Sequence, residues 1–409
     1  MKTSIGHGLT GFAFAAGLGA AGSAWAQSTE DLQRQIDALQ RQIEELKAQV
    51  ESANETAERA EQASEAAAKD EGPFVEPGND RIRLSLSGQV NRGLLITDDG
   101  EDTDLFHVDN DHSSTRVRFI GEGELDNGVT VGTNIEVQFE SNSTAAVSQD
   151  AETVGPDNFT ERKLELFFGH PDYGLLSVGQ GDVASNSTSE VDLSGTTVIG
   201  YSGIVDFAGG IQFRDGDGEL SGTDIGDTFS NLDGFSRLDR LRYDTPRFGG
   251  FMLSASAISD GLQDVALRFN RAFGDDRVAA GFAYGNGDGE FNRFNGSVSW
   301  LAGGGLNLTF AGGVDDTDEG SNPYFVYGKI GYQLQEVELG TTALAVDAYY
   351  GENFDLDGDE SFTGGLYMVQ NITEIATELY MGGRVYDVNR DGEDFDEIFA
   401  LLTGARVRF

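Results

Sequence analysis

Arginine side chains recur on the polar positions of segments in which polar and apolar residues alternate. Arg116 and Arg118 are two residues apart in one such segment, and Arg240 and Arg242 repeat the spacing in another. Successive side chains of a strand point to opposite faces, so each pair would share the polar face of its strand. A guanidinium group stays charged and is costly to bury alone. The pattern therefore predicts fixed cations on a wetted surface, which act through their electric field rather than by making bonds.

Other arginines extend this set. Arg83 lies on the polar face of its segment, and Arg162 is a further candidate, although the parity of 160–170 is ambiguous because Phe167 and Phe168 are both apolar. The remaining cations on polar positions are Arg268, Arg293, Lys329, Arg384 and Arg406. A simpler interpretation is that all of these cations only solvate an aqueous interior and pair with acids of neighbouring strands. Candidate acids are Glu122, Glu124 and Glu136.

No arrangement of residues in the sequence predicts catalysis. The motifs G-x-S-x-G and H-E-x-x-H and the P-loop are missing, and the chain has 4 histidines and no cysteine. Two aspartate-rich stretches, 355–359 and 387–392, resemble the start of calcium loops, but the twelfth position of the second is Ile398 rather than glutamate. Both lie between predicted strands, so we expect solvated loops. We predict no enzyme activity, no cofactor and no metal site.

Composition narrows the class of protein. The 70 acidic residues outnumber the 27 basic ones and give a net charge of −43, which argues against a nucleic-acid partner. Hydrophobic residues make up 38 %, a low share for a large packed core but a reasonable one for a barrel with a wet interior and a thin apolar outer band. The absence of cysteine excludes a disulfide framework.

From residue 81 onward the hydrophobic pattern has a period of two. No later apolar run is long enough for a membrane-spanning helix, so a closed barrel is the remaining way to cross a bilayer. Tight turns alternate with longer acidic loops, which favours a membrane barrel over a soluble β-sandwich. The prediction is an all-β fold, a transmembrane antiparallel barrel of about sixteen strands. The predicted strands are 82–96, 113–126, 129–141, 160–170, 173–180, 238–245, 251–259, 264–273, 277–285, 291–302, 305–314, 324–334, 342–352, 361–371, 375–388 and 396–409.

The N-terminal part of the chain is organised differently. Residues 1–26 have the charge pattern, apolar stretch and A-x-A motif of a cleaved signal peptide. Residues 27–71 repeat apolar positions at heptad spacing and predict a coiled-coil helix, while 72–80 contain two prolines and form a linker. Isoleucine and leucine at the core positions favour a two-stranded coil, whereas the barrel interpretation favours three chains.

Residues 81–409 resemble the general diffusion porins of Gram-negative bacteria. The segment from Ser114 to Gly121, followed by Leu125 and Gly128, is similar to the second strand and first turn of that family. The stretch from Leu241 to Pro246, with Phe248 and Gly250, resembles its RYDSP strand and turn. The terminal Phe409 resembles the signal that is read by the barrel-assembly machinery. The resemblance implies a homotrimer in the outer membrane, in contact with lipid and lipopolysaccharide.

The resemblance also implies a constriction. The third loop of these porins folds into the barrel, and here the longest gap between strands, 181–237, takes that place; Ile204 to Arg214 could add a hairpin to it. By position, Arg116 and Arg242 match the family's wall arginines, with Arg83, Arg118, Arg162 and Arg240 as further wall candidates. The corresponding loop acids would be Asp182, Glu190, Asp192 and Asp206. Opposed charges of this kind would set up a transverse field in a narrow aqueous gap.

The predicted function is therefore passive diffusion of small hydrophilic solutes and ions through the outer membrane. Acidic loops at the mouth should concentrate cations, so we predict a weak cation preference. One alternative is a phosphate-specific porin, although the chain has only five lysines, Lys2, Lys47, Lys69, Lys163 and Lys329. Another is a trimeric tether in which a periplasmic coiled coil contacts peptidoglycan; this role is compatible with conduction.

Overall fold

A computed structural model describes residues 81–155, 159–318, 320–335 and 338–409. The predicted signal peptide, coiled coil and linker lie outside these residues. Two short helices, α1 (Val205–Ala208) and α2 (Ile225–Thr228), accompany the strands, as do three 3₁₀ turns at Asp111–Ser113, Ser259–Gly261 and Thr373–Ile375. The strands in the described part are β1 (Arg83–Asp98), β2 (Thr103–Asp109), β3 (Arg116–Glu124), β4 (Thr130–Phe139), β5 (Phe159–His170), β6 (Gly174–Asp182), β7 (Gln212–Arg214), β8 (Leu220–Asp224), β9 (Arg237–Asp244), β10 (Phe251–Ile258), β11 (Gln263–Phe273), β12 (Asp276–Asn286), β13 (Phe291–Leu301), β14 (Leu306–Thr317), β15 (Tyr324–Leu334), β16 (Thr342–Glu352), β17 (Glu360–Ile372), β18 (Thr377–Asn389) and β19 (Ile398–Arg408).

The main sheet is a closed antiparallel barrel. Each strand pairs with its neighbours along the chain, and β19 returns to pair with β1 from Gln89↔Arg408 to Asp98↔Phe399. Closure lets the barrel strands satisfy their backbone hydrogen bonds on both sides, except that β2 has β1 as its one strand partner in the described part of the chain. Of the 17 strands in this sheet, β2 and β3 share one position beside β1, which leaves sixteen positions. This confirms the predicted sixteen-stranded barrel.

One strand position is interrupted, which the sequence did not predict. β2 pairs with the second half of β1 and ends at Arg92↔Asp109, whereas β3 pairs with the first half and begins at Gln89↔Arg116. Between these two pairs, Val90 and Asn91 of β1 lie opposite the six residues 110–115. We call residues 110–115 the strand notch. The predicted strand 113–126 therefore begins at Arg116, and part of the predicted loop 97–112 forms β2.

The side chains of the barrel strands alternate between the two faces as the sequence predicted. In β16, Leu344 and Val346 are exposed on the outer surface, while Ala345 and Asp347 are buried inside. The same alternation places an apolar band on the outer surface of the other strands. Among the described residues, no helix is both long and apolar enough to span a bilayer.

The long loop between β6 and β9, residues 183–236, folds into the barrel and is called the constriction loop here. The predicted extra hairpin exists, but its strands are β7 and β8, and α1 occupies part of the predicted range Ile204–Arg214. At one end of the barrel the hairpin is fastened to outer loops. Arg214 forms an ion pair with Asp99 at 2.9 Å, and the Asp396 amide donates to the Arg214 carbonyl at 3.0 Å.

The interior is more apolar than a wet lumen would be. Phe207, Ile199 and Phe229 of the constriction loop are fully buried in one cluster with inward-facing residues of the wall, among them Tyr349 and Tyr367. The wall side of this cluster runs from β15 through β19 to β1 and β2. Burial of this apolar surface holds the loop against one part of the wall. The expectation of a fully wet interior is therefore wrong for that part.

The apolar cluster can be tested with Phe207→Ala. Phe207 is fully buried, so its truncation should lower the free energy of unfolding by about 3–5 kcal/mol, measured by urea denaturation in detergent micelles. The control is Phe248→Ala, because Phe248 is 88 % exposed and its loss should cost only about 0.5 kcal/mol. Equal losses in the two variants would contradict the packed loop.

Candidate functional site

A cavity of about 740 Å³ lies inside the barrel, bounded by the wall strands, the strand notch and the constriction loop. Its charged lining has two sources. The arginines come from barrel strands, whereas the carboxylates come from the constriction loop, the notch and the residue that follows β4. The arginines are Arg116, Arg162, Arg237, Arg293 and Arg406. The carboxylates are Asp111, Glu140, Glu190, Asp206 and Asp233.

Glu136 on β4 is buried and organises three of the wall arginines. Its carboxylate accepts hydrogen bonds from Nε of Arg118 at 2.6 Å and from Nε of Arg162 at 2.7 Å. Nη1 of Arg116 lies 3.5 Å from the same group. One negative charge therefore serves three positive charges, and this part of the wall keeps excess positive charge. Cross-strand pairing brings these groups together, because Arg118 lies directly opposite Glu136.

The other three lining arginines form ion pairs with acids that do not line the cavity. Arg293 makes a two-pronged ion pair with Asp315, at 2.8 and 2.6 Å. Arg237 contacts Asp182 at 3.0 Å. Arg406 similarly donates from Nε to Glu378 at 2.5 Å. None of these partner acids lines the cavity, so much of the positive charge is compensated behind the arginines.

The lining carboxylates have mostly neutral partners. Asn231 donates to Glu190 at 3.0 Å, the Tyr201 hydroxyl donates to Asp206, and Ser189 Oγ donates to Asp233 at 2.8 Å. Among the described residues, none of the five lining carboxylates has a basic side chain within ion-pair distance. The protein therefore gives them no direct ionic partner, and the more distant charges of Arg162 and Arg268 act on Asp206 and Asp233.

Burial and repulsion by neighbouring acids raise the pKa values of three of these acids, Asp206, Glu140 and Glu190. Burial, followed by the neighbouring Asp111 charge, raises the pKa of Asp206 to about 7. The same two causes, in the same order, raise the pKa of Glu140 to about 8. Burial and the nearby Asp233 charge raise the pKa of Glu190 well above its ordinary value. The negative charge of the cavity therefore changes with pH near neutrality.

Four residues predicted for the constriction reach the cavity. Arg116 and Arg162 line it from the wall, and Glu190 and Asp206 line it from the constriction loop. Glu190 precedes β7 by a long stretch of loop, whereas Asp206 lies in the short helix α1. Helix α1 therefore positions the Asp206 carboxylate at the cavity.

The other predicted wall arginines lie elsewhere. Arg242 binds Asp244 and donates to the Val183 carbonyl at 2.8 Å, so it fixes the start of the constriction loop. Arg240 is buried and binds Glu165 as well as the Asp182 carbonyl, at 2.9 Å. Two further candidates also fall outside the cavity lining. Arg118 faces Glu136, and Arg83 pairs with Glu122.

The two remaining loop acids make structural ion pairs. Asp182 ends β6 and binds Lys163 and Arg237. Asp192 binds Lys329 Nζ at 2.7 Å, with both side chains almost completely buried, and Lys329 also donates to the Gly200 carbonyl at 2.6 Å. Asp192 therefore fastens the constriction loop to β15 rather than lining the cavity.

Sequence reasoning missed several lining residues. Arg293 and Arg406 were expected to face inward, but nothing local tied them to the cavity. Asp111, His112 and Glu140 were assigned to loops or strand ends, because no local pattern signals the strand notch. The two aspartate-rich stretches have other contacts. Asp359 binds Arg390 at 2.6 Å, and Asp355 binds the same arginine.

Comparison with known proteins gives a consistent picture. A family model described as Gram-negative porin matches residues 13–384. No curated protein matches the chain by sequence. Among solved structures, an anion-selective porin from Comamonas acidovorans is 15% identical, with a TM-score of 0.55, and the match covers 80% of this chain and 100% of that one. OmpT of Vibrio cholerae in its trimer form is 15% identical, with a TM-score of 0.52 and coverage of 81% and 100%. The outer-membrane channel DcaP of Acinetobacter baumannii is 13% identical, with a TM-score of 0.51 and coverage of 82% and 99%.

Glu136→Gln tests the shared carboxylate. The substitution removes one negative charge beside three arginines, so the zero-current potential in a KCl gradient should move toward chloride. The free energy of unfolding should fall by about 3–5 kcal/mol, because a buried ion-pair partner is lost. Glu122→Gln is the control, since its partner Arg83 is largely exposed. An unchanged potential for Glu136→Gln would contradict a role for this cluster in the field of the cavity.

Proposed function

The chain belongs to the Gram-negative porin family, and on this premise we propose that it forms a water-filled channel for passive diffusion of small hydrophilic solutes and ions, with a weak preference for cations. The proposed pathway is the barrel interior, and its narrow part is the 740 Å³ cavity beside the constriction loop. We propose no catalytic role, because porins act as channels.

The observation that carries the cation preference is the unequal compensation of charge in the cavity. Arg293, Arg237 and Arg406 each have an acidic partner behind them. In the described part of the chain, Asp111 has no basic side chain within ion-pair distance, and Asp206, with its pKa raised to about 7, gains its negative charge as the pH rises. An uncompensated carboxylate in a water-filled gap attracts mobile cations as its counter-ions. Acidic residues in the outer loops add to this potential, because the whole chain carries a net charge of −43.

The cavity also favours polar over apolar solutes. Guanidinium and carboxylate groups around one narrow space produce a strong local field, which orders water and dipolar solutes. An apolar solute would have to displace this ordered water without replacing its hydrogen bonds. We therefore propose ions and small polar molecules as the solute class.

An anion-specific channel, for example one for phosphate, is the second candidate. The observation in its favour is the group formed by Arg116, Arg118 and Arg162, which share a single carboxylate. Arginine is well suited to binding phosphate oxygens. A planar-bilayer recording separates the two candidates. Large ohmic steps with a cation-favouring reversal potential support the proposal, whereas steps that saturate with phosphate support the alternative.

We further propose that the protein is a trimer in the outer membrane, with the N-terminal segment as a periplasmic coiled coil that contacts peptidoglycan. The trimer form recorded for OmpT of Vibrio cholerae and the heptad spacing in 27–71 support this assembly. Current steps that close in threes would indicate the trimer. Deletion of residues 28–70 should weaken the trimer or the envelope and leave the conductance of each barrel unchanged.

The cation preference should depend on pH. Below the raised pKa values the affected carboxyls carry protons and are neutral, so the preference should strengthen as the pH rises through the range from about 7 to about 8. The measurement is the zero-current potential in a KCl gradient at a series of pH values. The double variant Asp206→Asn with Glu140→Gln should lose this step, while Asp217→Asn, in the exposed turn of the β7–β8 hairpin, should keep it. A step that persists in the double variant would assign the titration to other groups.

A further inference from the structure

The strand notch, residues 110–115, has no counterpart in a regular strand. Six residues lie opposite Val90 and Asn91 of β1, and the excess length carries the chain into the barrel instead of along its wall. A 3₁₀ turn at Asp111–Ser113 forms the middle of the notch. Asp111, His112 and Ser113 all line the cavity. The wall itself therefore supplies a second inward element, in addition to the constriction loop.

Hydrogen bonds to the wall hold the notch in one conformation. Asn91 donates from Nδ2 to the Ser113 carbonyl at 2.9 Å, and the Tyr380 hydroxyl donates to Asn91 Oδ1 at 2.7 Å. At its end, the Thr115 amide donates to Asp109 Oδ1 at 2.9 Å. These bonds replace the ladder that the interrupted strand loses. The notch is therefore a built feature of the wall rather than a loose bulge.

A second set of contacts joins the notch to the constriction loop. Asn110 donates from Nδ2 to the Val198 carbonyl at 2.7 Å. The His112 ring meets Tyr201 edge to face, with centroids 5.2 Å apart, and meets Phe207 in the same way at 6.0 Å. Aromatic contacts of this geometry stabilise the relative position of the two elements. The notch and the constriction loop therefore border the same opening from two sides.

The notch contacts two arginines of the cavity and also carries an acid of its own. Ser113 Oγ accepts from Arg406 at 2.6 Å and from Arg116 at 3.1 Å. Asp111, one residue from His112, has no basic side chain within ion-pair distance in the described part of the chain. Its amide is held by Thr144 Oγ1 at 3.0 Å, so the backbone position of the carboxylate is fixed. Asp111 can therefore act on ions in the cavity from a defined place.

We propose that the strand notch is a second constriction element, in which Asp111 raises the local concentration of small cations and the His112 ring limits the width of the opening. This inference rests on the proposed channel function. It assigns part of the selectivity to the barrel wall, where the family resemblance placed the acids only on the loop. Removal of the Asp111 charge should weaken the cation preference, and truncation of His112 should widen the path.

The absence of cysteine allows a direct test in the full-length protein. In His112→Cys, a methanethiosulfonate reagent transfers its thiol-linked group to the Cys thiolate, which forms a mixed disulfide and releases methanesulfinate. Bilayer currents are recorded before and after a cationic and an anionic reagent, and mass spectrometry measures the modification. We expect modification by either reagent to reduce the conductance by roughly half or more, because the added group would occupy the opening.

Asp172→Cys is the matched control, because Asp172 is exposed in the turn between β5 and β6, outside the constriction loop, and does not line the cavity. Its modification should leave the conductance unchanged. Two results at position 112 would overturn the inference while the channel function stands. One is a complete modification with no change in current, and the other is a thiol that neither reagent reaches in a conducting channel.

The charge of Asp111 is tested separately. Asp111→Asn should lower the cation-to-anion permeability ratio by roughly twofold or more, since ion concentration varies exponentially with local potential, whereas Asp172→Asn, in the turn between β5 and β6, should leave the ratio unchanged. Equal ratios for Asp111→Asn and the unaltered chain would overturn the role of Asp111. If the unaltered protein folds into a heat-modifiable barrel and carries no current, the channel function itself fails, and this inference fails with it.

Discussion

The apolar contact between the constriction loop and the inner wall is the interaction on which the site depends. A closed barrel of sixteen strands encloses a wide space, and a loop of more than fifty residues would not stay in one place there without a buried surface (residues 183–236). Phe207 and Phe229 supply that surface by packing on tyrosines of β16, β17 and β18. The loop therefore thickens one part of the wall, and the cavity lies beside it.

Polar contacts then fix where the constriction loop lies within the barrel. The buried Asp192–Lys329 pair joins the first part of the loop to β15. Arg242 and Arg268 hold the start of the loop by donating to its carbonyls, and the Arg268 contact with Ala184 is 2.7 Å long. Because these charged side chains bind one another or backbone carbonyls, they do not line the cavity. Ion pairs of this type give a defined position more than net stability, since burial of both charges offsets much of their attraction.

These contacts determine which charged groups remain in the cavity. Arginines need a carboxylate nearby to lie against a low-dielectric wall, and the neighbouring strands provide one for each, with Glu136 serving three. The loop acids Glu190 and Asp233 accept hydrogen bonds from amide and hydroxyl side chains. Asp111 of the notch is positioned by its backbone amide, which donates to Thr144 Oγ1. Desolvation and the charges of neighbouring acids raise the pKa values of Asp206 and Glu190, which therefore keep their protons up to a higher pH than free carboxyls do.

The sequence by itself determined the barrel, its sixteen strand positions and the inward face of arginines such as Arg116 and Arg242, whereas it left the face of Arg162 open. These properties follow from a period of two, which neighbouring residues express without any distant contact. Only the tertiary structure decided which arginines reach the cavity: Arg116 and Arg118 have the same parity, yet Arg118 remains at Glu136 while Arg116 lines the opening. How deep a side chain lies along the barrel axis depends on strand register and on the position of the constriction loop. Both arise from contacts between residues far apart in the chain. The strand notch escaped prediction for the same reason, because six residues opposite two is a property of pairing between strands and leaves no local pattern.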